Sequence, residues 1–213
     1  MFRMLAFAVT LLATTVAWGQ TTYDPKIAYT QVSGKNQYVY LANDNGSHAW
    51  RVATATGNIV GVDFAPGGGR IAFSDSQGIK VVSYTAGSTG IQVNGVQLLV
   101  NVDGTVTAGP ALSTANQTFK GIEDFDIAHA SNALLITANY PTTIRLVEFN
   151  LVSGAVTDKG GPGTRGHFFA DDSWIVYREQ VKGGYFINSL DPDTGLSTRL
   201  TARGAYGFID ARP

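Results

Sequence analysis

The stretch Val62-Asp-Phe-Ala-Pro-Gly-Gly-Gly69, followed at once by Arg70-Ile-Ala-Phe-Ser74, decides the fold of this 213-residue chain. Its first part alternates apolar and polar residues and ends in a proline–glycine run, which is typical of a short strand that enters a tight turn. Its second part is another short apolar run of strand formers. Together the two parts predict a β-hairpin, and other parts of the sequence repeat it.

The repeats share an apolar anchor in the first strand and an apolar second strand. The copies are Lys26-Ile-Ala-Tyr-Thr30 (second strand only), Phe125 to Thr137, His167 to Tyr177, and Gly207 to Pro213 (first strand only). The predicted anchors are Phe64, Ile127, Phe169 and Ile209. A repeat of about 40 to 45 residues that is built from four short strands predicts the blades of a β-propeller.

The composition agrees with an all-β chain. It has 25 glycines and only 3 glutamates, so turn and strand formers outweigh helix formers and a helical bundle is excluded. Lysine plus arginine (15) nearly balances aspartate plus glutamate (16), so no net field draws the chain to nucleic acid. The absence of cysteine excludes disulfides, thiolate metal sites and cysteine nucleophiles.

The first nineteen residues have the three-part pattern of a secretory signal. Met1-Phe2-Arg3 supplies a positive charge, Met4 to Trp18 is uncharged and largely apolar, and Ala17-Trp18-Gly19 is a small-residue cleavage site. The alternative, a membrane anchor, needs about 20 apolar residues, and this run is shorter. We therefore expect cleavage after Gly19, which leaves a repeat domain of residues 20–213 with no membrane span in the periplasm or outside the cell.

Several segments resemble the WD40-like repeat of TolB-like propellers. The matching segments are Ile27-Ala-Tyr-Thr30, Tyr38-Val-Tyr-Leu-Ala-Asn-Asp-Asn-Gly46, Arg51-Val52 and Val62 to Gly68. Phe64 stands where that repeat has tryptophan, and Ala65-Pro-Gly-Gly replaces its Ser-Pro-Asp-Gly. The resemblance implies a β-propeller in an exported setting, and it supports a binding role.

We predict an all-β fold, a small propeller of about four four-stranded blades. The first blade starts at its second strand, with Ile27, and so lacks an inner strand; residues 205–210 predict a lone inner strand that would complete it. Such closure removes an exposed sheet edge. A half-ring that completes itself as a homodimer is the alternative. The longer interval after Phe64 predicts an inserted hairpin at about 88–118, with a turn at Asp103-Gly104.

A group of polar residues on the inner strands is the candidate site. Asp63 and Asp126 each precede an anchor, so they share one face of their strands, and on the same alignment Phe168 and Phe208 hold this position. If that face lines the channel, it forms a ligand-binding site of Asp63, Asp124, Asp126, Arg165 and His167. Asp63 and Asp126 could then hold a divalent cation such as calcium. The alternative is that each aspartate accepts backbone hydrogen bonds at a strand end.

The sequence carries no familiar catalytic signature. Gly-x-Ser-x-Gly, His-Glu-x-x-His, the phosphate-binding loop and Gly-x-Gly-x-x-Gly are all absent. The prediction is therefore a non-enzymatic module that binds an envelope or secreted protein or peptide, with no cofactor beyond the divalent cation. The alternative is a hydrolase or lyase that uses the channel carboxylates with or without a divalent metal.

Overall fold

The structure is a computed structural model that describes residues 23–65, 67–106, 119–160, 163–169 and 171–201. The described residues form antiparallel sheets joined by turns, with no helix among them. The first sheet contains β1 (Ile27–Ser33), β2 (Asn36–Ala42) and β3 (Trp50–Ala55). The second contains β4 (Gly61–Phe64), β5 (Arg70–Asp75), β6 (Gly78–Gly87) and β7 (Gly90–Asn101).

The other two sheets repeat the same order. The third contains β8 (Gly121–Ile127), β9 (Ala133–Asn139), β10 (Ile144–Asn150) and β11 (Val156–Gly160). The fourth contains β12 (Gly163–Phe168), β13 (Ile175–Val181), β14 (Gly184–Leu190) and β15 (Ser197–Arg199). In every sheet each strand pairs with the next one along the chain. The predicted all-β propeller of four blades is confirmed, with three strands described in the first blade.

Successive sheets pack face to face through apolar cores. Val39 and Leu41 of the first sheet lie in one cluster with Phe73 of the second. On β9, Leu134 belongs to the core shared with the second sheet, whereas Leu135 belongs to the core shared with the fourth. Because side chains alternate along a strand, a sheet that is buried on both faces needs apolar residues at consecutive positions. This requirement explains the continuous apolar run of β9.

The register of the fourth sheet corrects one sequence prediction. Phe64 pairs with Ile71, Ile127 with Leu134, and Phe168 with Ile175, so the anchor of the fourth sheet is Phe168 and not Phe169. Phe168 is 2% exposed and Phe169 is 38% exposed. The hairpin register, which the turn length sets, selects between the two phenylalanines. His167 therefore occupies the position that Asp63 and Asp126 hold in their own strands.

The extra residues of the second sheet also lie differently from the prediction. Residues 90–101 form β7, which pairs with β6 along most of its length, so this part of the predicted insertion is the outer strand of the sheet. The turn at Asp103-Gly104 is present, since the Gly104 amide donates to the Asn101 carbonyl and Val100 bridges to Val106. Residues 107–118 lie outside the described residues.

The inner edge of the first sheet bears on ring closure. Among the described residues β1 pairs with β2 alone, whereas β4, β8 and β12 each provide an inner strand to their sheets. The segment predicted to fill this edge, residues 205–210, lies outside the described residues. Closure by that strand and closure by dimerisation both stay predictions. No helix long and apolar enough to cross a bilayer occurs in the part of the chain that the structure describes.

Candidate functional site

The inner strands bring Asp63 of β4, Asp124 and Asp126 of β8, and His167 of β12 into one group, which we call the axial cluster. Each of these strands belongs to a different sheet, and the sheets are consecutive. Asp63, Asp126 and His167 hold the same position in their strands, one residue before the anchor. The repeat itself therefore produces the cluster, because equivalent positions of successive blades point to one region.

Asp126 is the most deeply buried member of the axial cluster, with a side chain that is 4% exposed. Its Oδ2 accepts a hydrogen bond of 2.7 Å from the backbone amide of Phe168, in the next sheet. Its Oδ1 lies 3.5 Å from Nδ1 of His167. A buried carboxylate requires such partners, since an unpaired charge in the interior is strongly unfavourable. Asp126 thus ties the third sheet to the fourth.

Asp63 forms the equivalent connection one sheet earlier. Its Oδ1 accepts a hydrogen bond of 2.9 Å from the amide of Phe64, and its Oδ2 lies 3.5 Å from the amide nitrogen of Ile127. Ile127 and Phe168 are equivalent anchors, so both aspartates accept from the anchor amide of the following sheet. Asp63 also acts to lower the pKa of Asp126. A repeated, backbone-directed contact of this kind is the structural role that the sequence left open as an alternative.

His167 lies between two carboxylates. Its Nδ1 faces Asp126, and its Nε2 lies 3.7 Å from Oδ2 of Asp124. The side chains of His167 and Asp124 are 18% and 21% exposed, so this end of the cluster reaches solvent. Asp124 Oδ1 also accepts a hydrogen bond from the Phe125 amide. An imidazole in this position can hold or release a proton beside two acids.

The pKa values of Asp124 and Asp126, both on β8, are shifted in opposite directions. Burial raises the pKa of Asp124 above its ordinary value, although the charges of His167 and Arg165 oppose that rise. Burial also acts to raise the pKa of Asp126, but hydrogen bonds from His167 and Asp63 outweigh it and hold that pKa below its ordinary value. Asp126 is therefore the stabilised carboxylate, and Asp124 is the acid whose charged form is disfavoured.

Arg165 completes the set of residues that the sequence proposed. It lies at an irregularity in the pairing of β12 with β13, between Thr164 and His167, and its φ of 51° is in the left-handed region. Non-glycine residues seldom adopt that conformation, and it commonly accompanies a bulge that redirects neighbouring side chains. Arg165 contributes positive charge near Asp124. Its ligand-binding role stays a prediction, as do those of the axial cluster.

A metal role for Asp63 and Asp126 also stays a prediction. Within the described ranges, no group of three or more histidine, cysteine, aspartate or glutamate residues is arranged to hold a metal ion. A rise in Tm with added Ca²⁺, lost in the Asp63→Asn/Asp126→Asn double variant, would support ion binding. Equal melting with and without Ca²⁺ would leave the backbone-acceptor role alone.

The sequence did not point to a polar cleft between the third and fourth sheets, which we call the third cleft. It has a volume of about 280 Å³, and its walls include Glu148, Asn150, Lys159, Phe168 and Asp193. Nζ of Lys159 lies 3.3 Å from Oε2 of Glu148 and donates to the carbonyl of Pro192 at 2.7 Å. These residues come from separate strands and turns, so only the packed sheets bring them together.

Asp172 closes one end of the third cleft by joining two turns. Its carboxylate accepts hydrogen bonds from the consecutive backbone amides of His129, Ala130 and Ser131, at 2.6, 2.8 and 2.8 Å. Three adjacent amides form an anion-binding concavity, and here a side chain of the next sheet fills it. The only sequence signal for Asp172 was its place in a predicted turn, which carries no information about a partner in another blade.

Two further clefts lie between the earlier sheets, near the same kinds of turn. The first, of about 320 Å³, is lined by residues that include Lys26, Phe64 and Tyr84. The second, of about 150 Å³, is lined by Val81, Leu99, Phe149 and other residues from the second and third sheets. The turn between β8 and β9 is bonded to the turn after β10, since the Leu151 amide donates to the Asn132 carbonyl. These turns therefore form one face of the stack of sheets.

Comparison with known proteins shows the fold of the chain but does not assign the chain to a protein family. No protein-family model and no curated protein matches the chain. Puromycin hydrolase resembles it with a TM-score of 0.52 and 14% identity over 86% of this chain and 28% of that one. For a putative TolB from Agrobacterium tumefaciens the TM-score is 0.49 and the identity 14%, over 82% of this chain and 61% of that one. For TolB from Acinetobacter baumannii the TM-score is 0.42 and the identity 16%, over 82% of this chain and 52% of that one.

The chain thus spans less than two thirds of the length of each of these structures. At such low identity the likeness concerns the backbone arrangement and not the activity. Membership of the TolB-like repeat family remains a prediction from the quoted motifs. The sheet order, the inner-strand register and the resemblance to solved structures together identify the chain as a β-propeller-type protein.

Proposed function

We propose that this chain is an exported, non-enzymatic propeller that binds a protein or peptide partner in the periplasm or cell envelope. The observation that carries the proposal is the row of small clefts between sheets, at about 150 to 320 Å³ each. Cavities for drug-sized ligands and cofactors are about 300 to 1,000 Å³. The second and third clefts, at about 150 and 280 Å³, are smaller than that and suit single side chains of a partner better than a bulky cofactor.

The contrast between the second and third clefts gives the partner a chemistry. The second cleft is lined largely by apolar side chains, among them Val81, Leu99 and Phe149. The third is lined by charged and amide side chains, among them Glu148 and Lys159. A segment that lies across the face of the third sheet can place an apolar side chain in one cleft and a polar side chain in the other.

Site-specific photo-crosslinking tests this surface. A photoreactive residue at Val152, which is 78% exposed and lines the second cleft, is expected to capture a partner in the native host. Lys35 is the control, because it is exposed in the turn between β1 and β2, away from the three clefts. Equal capture at both positions, or capture at Lys35 alone, would contradict the proposed surface. Recovery of the chain from the cytoplasmic fraction with residues 1–19 intact would contradict export.

One observation favours an enzyme as the second candidate, a hydrolase or lyase centred on the channel. His167 has a buried carboxylate at Nδ1 and a partly exposed carboxylate at Nε2, an arrangement that orients an imidazole for general acid–base work. A panel of chromogenic esters, peptides and glycosides tests this candidate. Turnover that is lost in His167→Gln and kept in His129→Gln would favour the enzyme. Absence of turnover across the panel would favour the binding module.

A further inference from the structure

We propose that Asn45 is a self-modification site, at which the folded chain converts an asparagine to aspartate and isoaspartate by attack of its own backbone. The sequence has two Asn-Gly pairs, Asn45-Gly46 and Asn94-Gly95. Both asparagines are exposed, but the fold places the first pair in a turn and the second in a strand. The structure therefore predicts very different rates for the same dipeptide.

The reaction joins the backbone to the side chain. The Gly46 nitrogen loses its proton to water and forms a bond to Cγ of Asn45, and the Cγ–Nδ2 bond breaks to release ammonia. Water then opens the succinimide ring at either carbonyl, which leaves aspartate or isoaspartate. Glycine favours the attack because no Cβ lies beside the nucleophile. The two groups belong to one chain, so no entropy is lost in bringing them together.

The turn between β2 and β3 favours this attack at Asn45. Oδ1 of Asn45 accepts a hydrogen bond of 2.9 Å from the backbone amide of Ser47. Negative charge develops on this oxygen when the nitrogen adds to Cγ, so a backbone donor that is already in place stabilises the transition state. Nδ2, the leaving group, makes no hydrogen bond within the described part of the chain. Its departure as ammonia therefore breaks no contact there.

One hydrogen bond opposes the reaction. The Gly46 amide donates to the Asn43 carbonyl at 2.9 Å, and this contact has to open before the nitrogen can attack. It lies in a turn outside the three apolar cores, and such exposed turns open at little cost in free energy. The opening that the reaction needs is thus a local one, and the sheets stay packed.

Asn94 lacks these conditions. It lies within β7, where the residues on both sides of it pair with β6 and Asn94 itself is the extra residue of a bulge. Its Nδ2 donates to Oγ1 of Thr85 on β6 at 2.9 Å, so the leaving group is tied to the neighbouring strand. The attack needs rotation about the Asn94 backbone and side chain. That rotation requires local separation of β7 from β6, which costs more than opening a turn.

Conversion of Asn45 adds negative charge near the first cleft. The preceding residue, Asp44, already acts on Lys26, whose pKa is raised chiefly by Asp24 and in smaller part by Asp44. Lys26 and Asp24 both line the first cleft. Any effect of the new carboxylate on a partner rests on the proposed function. The conversion itself does not.

Incubation in H₂¹⁸O compares the two sites within one molecule. Each conversion places one label in the new carboxyl group, and tandem mass spectrometry of the tryptic fragments 36–51 and 81–120 assigns it to Asn45 or Asn94. In the folded protein at neutral pH we expect the label to appear at least about tenfold faster at Asn45. The chain unfolded in guanidinium chloride is the control for the dipeptide itself, and the two rates should become similar there.

Three results would overturn the proposal. The first is equal rates in the folded protein, or faster conversion of Asn94. The second is a ratio that persists in the unfolded chain, because the difference would then come from the sequence and not from the fold. The third is label at position 45 in Asn45→Gln, the matched variant, whose longer side chain disfavours the succinimide ring. None of these measurements needs a partner, so failure of the crosslinking test at Val152 would leave them unaffected.

Discussion

Substitution by asparagine should destabilise the protein at Asp126 but not at Asp124, two residues earlier on β8. Asp126→Asn removes a buried charge that accepts the Phe168 amide at 2.7 Å and faces His167. Hydrogen bonds to charged groups contribute about 1.5 to 3 kcal/mol each, so we expect this variant to lose about 2 kcal/mol of unfolding free energy. For a domain of this size that loss lowers the Tm by roughly 4 to 8 °C.

Asp124→Asn is the matched comparison, two residues earlier on β8. Burial raises the pKa of Asp124, so its charged form is disfavoured in the folded state and the amide should cost little or stabilise slightly at neutral pH. The pKa of Asp126 is lowered, so its contribution is present above the ordinary aspartate value of about 3.9 and is lost as the pH falls through the folded-state value. The difference between wild type and Asp126→Asn should therefore shrink in acid.

Urea unfolding of the three proteins at neutral and acidic pH measures both effects. If Asp124→Asn cost as much as Asp126→Asn at neutral pH, the distinction between the stabilised and the disfavoured carboxylate would be refuted. If the loss in Asp126→Asn stayed constant down to acidic pH, the contribution of the Asp126 charge would be refuted. Circular dichroism of the folded baselines is the control for a change of fold.

Three further substitutions test the junctions between and within sheets. Lys80→Met leaves the fully buried Asp75 carboxylate without its ammonium partner and should lower the free energy of unfolding in urea by about 3 to 5 kcal/mol. The double variant Asp75→Asn/Lys80→Met should recover part of that free energy, because it removes the unpaired charge. Gly166→Ala places a Cβ 2.7 Å from a Leu146 methyl and should cost about 1 to 3 kcal/mol, whereas Gly95→Ala, with open space around it, should cost far less. Asp172→Ala removes the acceptor of three backbone amides and should speed hydrogen exchange at Ala130 and Ser131. Asp171→Ala is the control, because the Asp171 carboxylate accepts from Ser173 within its own turn.

The repeat made most of the fold predictable from sequence. Strands such as Arg70–Asp75 and Ala133–Asn139 follow directly from short apolar runs between turn residues. The position of Asp126 beside Asp63 follows from their common place before an anchor. The register of β12 did not follow, because Phe168 and Phe169 are equally apolar and only the pairing with Ile175 selects Phe168. The number of residues between an anchor and its partner on the next strand is the same in the second, third and fourth sheets, and this constant spacing would have selected Phe168.

The third cleft could not be predicted in the same way. Lys159 lies one residue before the end of β11 in the third sheet and donates to a carbonyl in a turn of the fourth. Asp172 of the fourth sheet accepts from a turn of the third. Such contacts depend on the distance and angle between sheets, which a local pattern does not contain. Asp75 and Lys80 are a closer case, since five residues and one hairpin separate them, yet their burial depends on the packing of the neighbouring sheet.

The arrangement of the apolar cores sets the order in which the molecule comes apart. Each described core lies between two successive sheets, so every sheet draws its stability from its immediate neighbours, as the units of a linear array do. The core between the second and third sheets is the most extensive, and the one that holds the fourth sheet is smaller and is supplemented by polar connections. The fourth sheet should therefore behave as a separate cooperative unit that opens before the central pair, and native-state hydrogen exchange in low denaturant would resolve that opening.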